Sequence, residues 1–193
     1  MNKEKKQTKS GKSYQQSAIL WEIMEKSFIL LMKIYVLITL DETYECKIDT
    51  KGRLPLPASL KKQLTEIIED GFVLKRSVFQ PCLELYPKSE WIKVNNQLNK
   101  LNRNVKKNVD LIRFYKAGLK IVEVDANGRI QISKDLISFA GLDKEIVLTP
   151  NGFILEIWDK ESYEKVVDIS QVDIASLTEE VLGGVSDDDE NVS

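Results

Sequence analysis

One pentapeptide pattern occurs twice in this chain: Asp49-Thr50-Lys51-Gly52-Arg53 and Asp125-Ala126-Asn127-Gly128-Arg129 both read D-x-x-G-R. A duplication of this size restricts the fold severely, because a supersecondary unit too small to close its own core needs its copy. With the two Gly-Arg pairs aligned, Cys46 and Ile48 match Val122 and Val124, Leu54 and Leu56 match Ile130 and Ile132, and Leu60 matches Leu136. After a small deletion in the second copy, Leu83-Glu84-Leu85-Tyr86 falls on Leu155-Glu156-Ile157-Trp158, and Trp91 on Tyr163. The repeats run from about Tyr44 to Trp91 and from about Lys120 to Tyr163.

Local patterns give each repeat the same order of elements. Tyr44, Cys46 and Ile48 alternate with Glu45, Lys47 and Asp49, the period of a half-buried strand. Asp at the first and Gly at the fourth place of Asp49–Gly52 suit a type I turn continuing into a hairpin. Arg53 opens the return strand, Leu54 and Leu56 point inward, and Pro55 confines that strand to an edge. Pro57 suits the start of a helix to about Glu69, which Asp70-Gly71 ends. Strands are expected at Phe72 to Leu74 and at Cys82 to Tyr86. In the second copy Ser133 is the N-cap of a short helix closed by Gly141, and strands at Ile146 to Leu148 and Phe153 to Trp158 flank an Asn151-Gly152 hairpin turn. Between the copies, Val94, Leu98, Leu101 and Val105 recur at helical spacing, with a break into two helices near Asn102 and Asn104.

Residue usage narrows the chemistry. The chain has 193 residues, no histidine and two cysteines, so no Ser-His, Cys-His or zinc-histidine centre can form. Cys46 matches Val122 and Cys82 matches Ile154, which reads both thiols as reduced core residues and not as a disulfide, metal site or nucleophile. No Gly-rich phosphate loop is present, and turn initiation alone explains Asp49 and Asp125. We expect no enzymatic activity, catalytic residue, cofactor, metal or small-molecule substrate.

From Tyr44 to Val166 there are 21 basic and 17 acidic residues, whereas the residues after Val166 carry eight acidic groups and no basic one. The tail, ending in Asp187-Asp188-Asp189-Glu190, reads as a disordered solubilising segment. The stretch from Ala18 to Leu40 is apolar after a Lys-rich start, but Glu22, Glu25, Lys26 and Lys33 interrupt it well short of the roughly 20 residues of a membrane span. It reads as an upstream extension with Met32 a plausible true start, against the alternative of a functional anchor. The expected division is 1–42 N-terminal extension outside the fold, 43–88 first domain, 89–117 helical connector, 118–161 second domain and 162–193 C-terminal segment.

An arginine following a turn glycine has two readings: an exposed strand residue, or a guanidinium presented on a rigid β platform to phosphate and guanine edges. Lys47 and Lys51 become Glu123 and Asn127 in the second repeat, so positive charge gathers around Arg53. Lys75 and Arg76 either extend that surface or lie in a solvated loop. Lys100, Arg103, Lys106, Lys107, Arg113 and Lys116 decorate the connector, as a solvated face or as phosphate contacts.

The two D-x-x-G-R hairpins, together with Phe79-Gln80-Pro81-Cys82-Leu83-Glu84-Leu85-Tyr86-Pro87 and Trp91, closely resemble the bacterial MraZ proteins over about Thr43 to Ser193. The resemblance implies an α+β fold: duplicated AbrB-like (SpoVT-AbrB) swapped-hairpin β-barrel half-domains with short helices and a helical connector, packed about a pseudo-twofold. It further implies a ring of many subunits, cytoplasmic and nucleoid-associated, that binds double-stranded DNA at short direct repeats before the division and cell-wall gene cluster and regulates transcription. On the matching positions Arg53, Lys51, Lys47, Arg129 and Asn127 are the expected DNA-binding residues, Arg53 foremost, with Asp49, Gly52, Asp125 and Gly128 shaping the turns. Two departures stand out: Ser133 replaces the family's usual proline, and Glu42 replaces a frequent glycine. The competing readings are a non-DNA oligomeric interaction module and an antitoxin-like AbrB protein.

Overall fold

The computed structural model describes residues 21–28, 40, 42–168, 170 and 173–183. Met32 and the acidic run Asp187-Asp188-Asp189-Glu190 lie outside the described residues. A first helix, α1, covers 21–28, with every residue exposed. The first repeat then supplies β1 (Tyr44–Lys47), β2 (Arg53–Pro55), α2 (Ala58–Gln63), α3 (Thr65–Ile68), β3 (Phe72–Arg76) and β4 (Leu83–Pro87). The connector is α4 (Lys88–Asn99) and α5 (Lys106–Lys116). The second repeat gives β5 (Lys120–Val122), β6 (Arg129–Gln131), α6 (Lys134–Ala140), β7 (Glu145–Asn151) and β8 (Ile154–Asp159), followed by α7 (Lys160–Val166) and α8 (Ile174–Leu182).

The two copies are interlaced. The large sheet runs β1-β7-β8-β4-β3-β5, and exchanging each strand for its repeat counterpart reverses that order and leaves it unchanged. Its midpoint is the β4–β8 pair, where Glu84 stands directly opposite Glu156. The small sheet is a ribbon of β2 and β6, whose midpoint pairs Leu54 with Ile130. One pseudo-twofold therefore relates both sheets, and each repeat lends its first strand to the other: β1 pairs with β7, and β5 with β3. The expected D-x-x-G-R hairpins are thus local turns only. Asp49 N–H bonds the Arg53 carbonyl at 3.1 Å, after which β1 enters the large sheet and β2 the ribbon.

The main core lies between the large sheet and the ribbon with its helices. Leu54, Leu60, Leu74, Leu83, Ile130, Leu136, Ile146, Leu148 and Ile157 are fully buried there, each contributing about 1.5–3 kcal/mol of burial. The other face of the large sheet is covered as well. Val73 and Tyr86 pack on Trp91 of α4, and Val147 and Trp158 pack with Cys82 beside Tyr163 of α7. The repeat is visible in its rings: Tyr86 meets Trp91 edge-on with centroids 5.6 Å apart, and the matched Trp158 meets Tyr163 at 6.1 Å.

Several local expectations shift. The first helix breaks at Leu64 (φ −84°, ψ 1°) into α2 and α3. Ser133 occupies the N-cap of α6 but makes no side-chain cap bond, while Gly141 closes the helix at φ 58° as expected. Asn151 pairs with Ile154, so Gly152 and Phe153 form the two-residue loop, one place later than the Asn-Gly signal suggests. Gly152 at φ 60° supplies the first central residue that a II′ turn wants. The connector breaks where its asparagines predict, with Asn102 Oδ1 accepting from Asn104 N–H at 2.9 Å.

Candidate nucleic-acid interface

Strand alternation buries Leu54 and Ile130 beneath the β2–β6 ribbon and turns Arg53, Pro55, Arg129 and Gln131 to its outer face. Arg53 pairs with Gln131, and Arg129 with Pro55, so the two arginines are diagonal neighbours about 7–8 Å apart. Both arginines of the duplicated motif therefore share one face of one ribbon.

The turns are built alike. Asp49 Oδ1 accepts from the backbone N–H of Lys51 and of Arg53, each at 2.9 Å, and Oδ2 accepts from Arg53 Nε at 2.6 Å. Asp125 repeats the pattern: Oδ1 accepts from Asn127 N–H at 2.9 Å and Arg129 N–H at 3.0 Å, and Oδ2 from Arg129 Nε at 2.9 Å. Arg129 Nη2 also reaches Asp125 Oδ2 at 2.8 Å. The backbone bond from Arg53 is the largest influence holding the Asp49 carboxyl below the usual carboxylate range. The Arg129 side-chain bond leads for Asp125, and the same bond raises the Arg129 guanidinium. Each aspartate thus fixes its arginine in one direction while occupying only part of a five-donor fork.

Glycine is required at both turns. Gly52 has φ 77° and Gly128 φ 74°, where an L side chain is strained. A Cβ on Gly52 would lie 2.6 Å from the Ile132 carbonyl oxygen. That closeness follows from stitching between copies: the Gly52 carbonyl accepts from Ile132 N–H at 2.8 Å, and the Gly128 carbonyl from Leu56 N–H at 3.0 Å.

Among the expected contact residues, Arg53, Arg129, Lys51 and Asn127 come together on the ribbon and its turns, the last two exposed. Lys47 does not join them. It lies in β1 of the other sheet, and its ammonium is 2.8 Å from Glu145 across the β1–β7 register. Lys75 is fully buried, 2.6 Å from Glu84 Oε2, and packs over the rings of Tyr86 and Tyr115. Neither the basic-surface nor the solvated-loop reading of Lys75 survives. Arg76 lies over the Phe139 ring at 4.8 Å. On the connector, Asp110 pairs with both Lys106 and Arg113, offsetting charge the sequence displayed as free.

Two neighbours of the turns were not singled out from sequence. Gln131 Nε2 donates to the carbonyls of Lys51, Gly52 and Ile132 at 2.8, 3.2 and 3.1 Å, clamping the first turn. Lys61 of α2 lies across the second turn, its Nζ 2.6 Å from where a Gly128 Cβ would be. No spacing pattern shows either one, because each belongs to the opposite repeat. The thiols are free and unionised in ordinary conditions: burial pushes Cys46 up to about 11 and Cys82 up to about 12. Among the described residues no helix is long and apolar enough to cross a membrane, and no acidic or cysteine cluster could hold a metal.

Comparison with known proteins agrees with this architecture. The model of the family described as "MraZ protein, putative antitoxin-like" matches residues 39–113 and again 117–183. A protein of Flavobacterium psychrophilum named transcriptional regulator MraZ is 56% identical over 155 residues, covering 80% of this chain and 99% of the relative. A Christiangramia forsetii protein of the same name is 55% identical over 157 residues, 81% of this chain and 100% of the relative. One from Bacteroides fragilis is 36% identical over 126 residues, 63% of this chain and 78% of the relative. These relatives are named transcriptional regulators, in keeping with the non-enzymatic reading of a chain without histidine. The duplicated AbrB-like α+β fold is the one the resemblance implied, and the chain belongs to the MraZ family.

Proposed function

We propose that this protein is a sequence-specific, double-stranded DNA-binding transcriptional regulator acting in the cytoplasm at the nucleoid. It binds short direct repeats upstream of the division and cell-wall gene cluster as a ring of many subunits. The observation that carries the reading is the placement of Arg53 and Arg129 on one outer face of the interlaced ribbon. A two-stranded ribbon fits the major groove, where guanidinium groups read guanine. Lys51 contacts phosphate and sets the register, and Asn127 does so at the second turn.

The body carries few positive charges beyond its acidic ones, so one ribbon binds weakly by charge alone. A ring makes each later contact intramolecular and converts a series of weak contacts into tight binding to spaced repeats. An exposed stripe on α8, made of Ile174, Leu177 and Val181, supports subunit contact, since contiguous apolar surface marks interaction sites.

Fluorescence anisotropy on a duplex from the DNA upstream of the protein's own gene tests the assignment. Arg53→Ala is expected to cost about 1–3 kcal/mol of discrimination at its base pair, with unchanged oligomer mass. Arg129→Ala is expected to cost less, because Asp125 already engages its Nε and Nη2. Equal binding by wild type and Arg53→Ala contradicts the reading.

A further inference from the structure

The two turns are built alike yet differ at one charged place: Lys51 of the first is Asn127 in the second. Sequence therefore makes the first turn the more basic one. The fold changes that balance. Lys61 in α2 and Ile137 in α6 are matched positions, each following the buried Leu60 or Leu136. Each lies across the glycine of the opposite repeat's turn. Ile137 Cδ1 is 3.0 Å from a Cβ built on Gly52, while Lys61 Nζ, Cδ and Cε are 2.6, 2.8 and 3.2 Å from one built on Gly128. The topology thus fixes where this side chain goes, and sequence decides whether it carries a charge there.

We propose that Lys61 is the phosphate-binding cation of the second turn, replacing in trans the lysine that the second repeat lacks. The ribbon then presents two Lys/Arg pairs to DNA, Lys51 with Arg53 at the first turn and Lys61 with Arg129 at the second. Lys61 is half-buried, its stem lying along the turn, and it makes no ion pair with a described side chain. An ammonium is a compact point charge suited to phosphate. Arg129, bonded to Asp125 through two nitrogens, gains a second cation beside it. This inference rests on the DNA reading above.

The test titrates the full-length native oligomer against the upstream duplex and a scrambled duplex at several KCl concentrations. Lys61→Met keeps an unbranched stem and removes the charge. It is expected to weaken both duplexes alike and to lower the slope of log affinity against log salt by about 0.9 for each ribbon engaged. Adding Asn127→Lys to that variant is expected to restore the slope. In the wild type, without any substitution, DNA is expected to protect the Lys61 amine from acetylation as fully as Lys51, leaving Lys62 reactive. An unchanged slope in Lys61→Met beside a lowered slope in Lys51→Met overturns the role of Lys61 and leaves DNA binding standing. Absence of salt-dependent binding by the wild type overturns both.

Discussion

Replacing Lys75 by methionine probes the large sheet's second face, where the structure departs most from the sequence reading. Lys75 is fully buried and its side chain sits 2.6 Å from Glu84, which is itself 10% exposed. Glu84 faces Glu156 directly at the pseudo-twofold, and accepts a 2.9 Å bond from the Tyr86 hydroxyl. Removing the ammonium leaves one carboxylate buried opposite another, and breaking such a pair costs about 3–5 kcal/mol. At roughly 2–4 °C per kcal/mol for a chain of this size, thermal unfolding is expected to fall by about 6–20 °C. Lys75→Met with Glu84→Gln is expected to recover most of that loss, since the stranded group is then neutral; calorimetry on the four chains of the cycle measures the coupling. Well below both midpoints, DNA affinity is expected to stay at the wild-type value. A Lys75→Met protein that melts like wild type, or that loses DNA binding while keeping its stability, refutes the buried pair.

Two further outcomes follow from the same geometry. Gly52→Ala and Gly141→Ala both place an alanine at positive φ, costing about 1–2 kcal/mol, but a Cβ on Gly141 meets nothing within 4 Å whereas one on Gly52 meets the Ile132 carbonyl. Urea denaturation is expected to show Gly52→Ala worse by a further ~1–3 kcal/mol; equal losses contradict the stitch between repeats. Cys82 is expected to resist thiol reagents in the folded chain. Because its thiol is pushed up to about 12 and that of Cys46 to about 11, their contribution to stability is whole below the ordinary thiol range near ~8.5 and is lost as pH rises through the folded values. Rapid labelling at pH 8 without unfolding contradicts this.

Much of the fold was legible because the duplication allowed each residue to be checked against its counterpart. The Tyr86/Trp91 match to Trp158/Tyr163 follows from that comparison, while the strand at Tyr44–Lys47 follows from its alternation and the Asn102 break from the connector's asparagines. Strand partnership was not legible. Alternation says which face of Tyr44–Lys47 is buried, but nothing in it distinguishes pairing with the strand's own return arm from pairing with β7 of the other copy. Lys75 was misread because it closes an apolar run, and a lysine there looks like the chain leaving the core. In fact β3 is covered on both faces, and the register places Lys75 opposite Glu84. At the candidate interface, the aspartate-arginine turns were visible as a motif. Their meeting on one ribbon face, and the arrival of Gln131 and Lys61 from the opposite copy, depend on tertiary placement alone.

The central claim is that the outer face of the β2–β6 ribbon is what touches DNA. Photo-cross-linking addresses it directly: a photoreactive phenylalanine replaces Pro55, exposed between the two arginines, and separately Phe114 on the basic connector, 63% exposed. Cross-linking of the upstream duplex from position 55 and not from position 114 is the result expected of this interface. Cross-linking from 114 alone contradicts it.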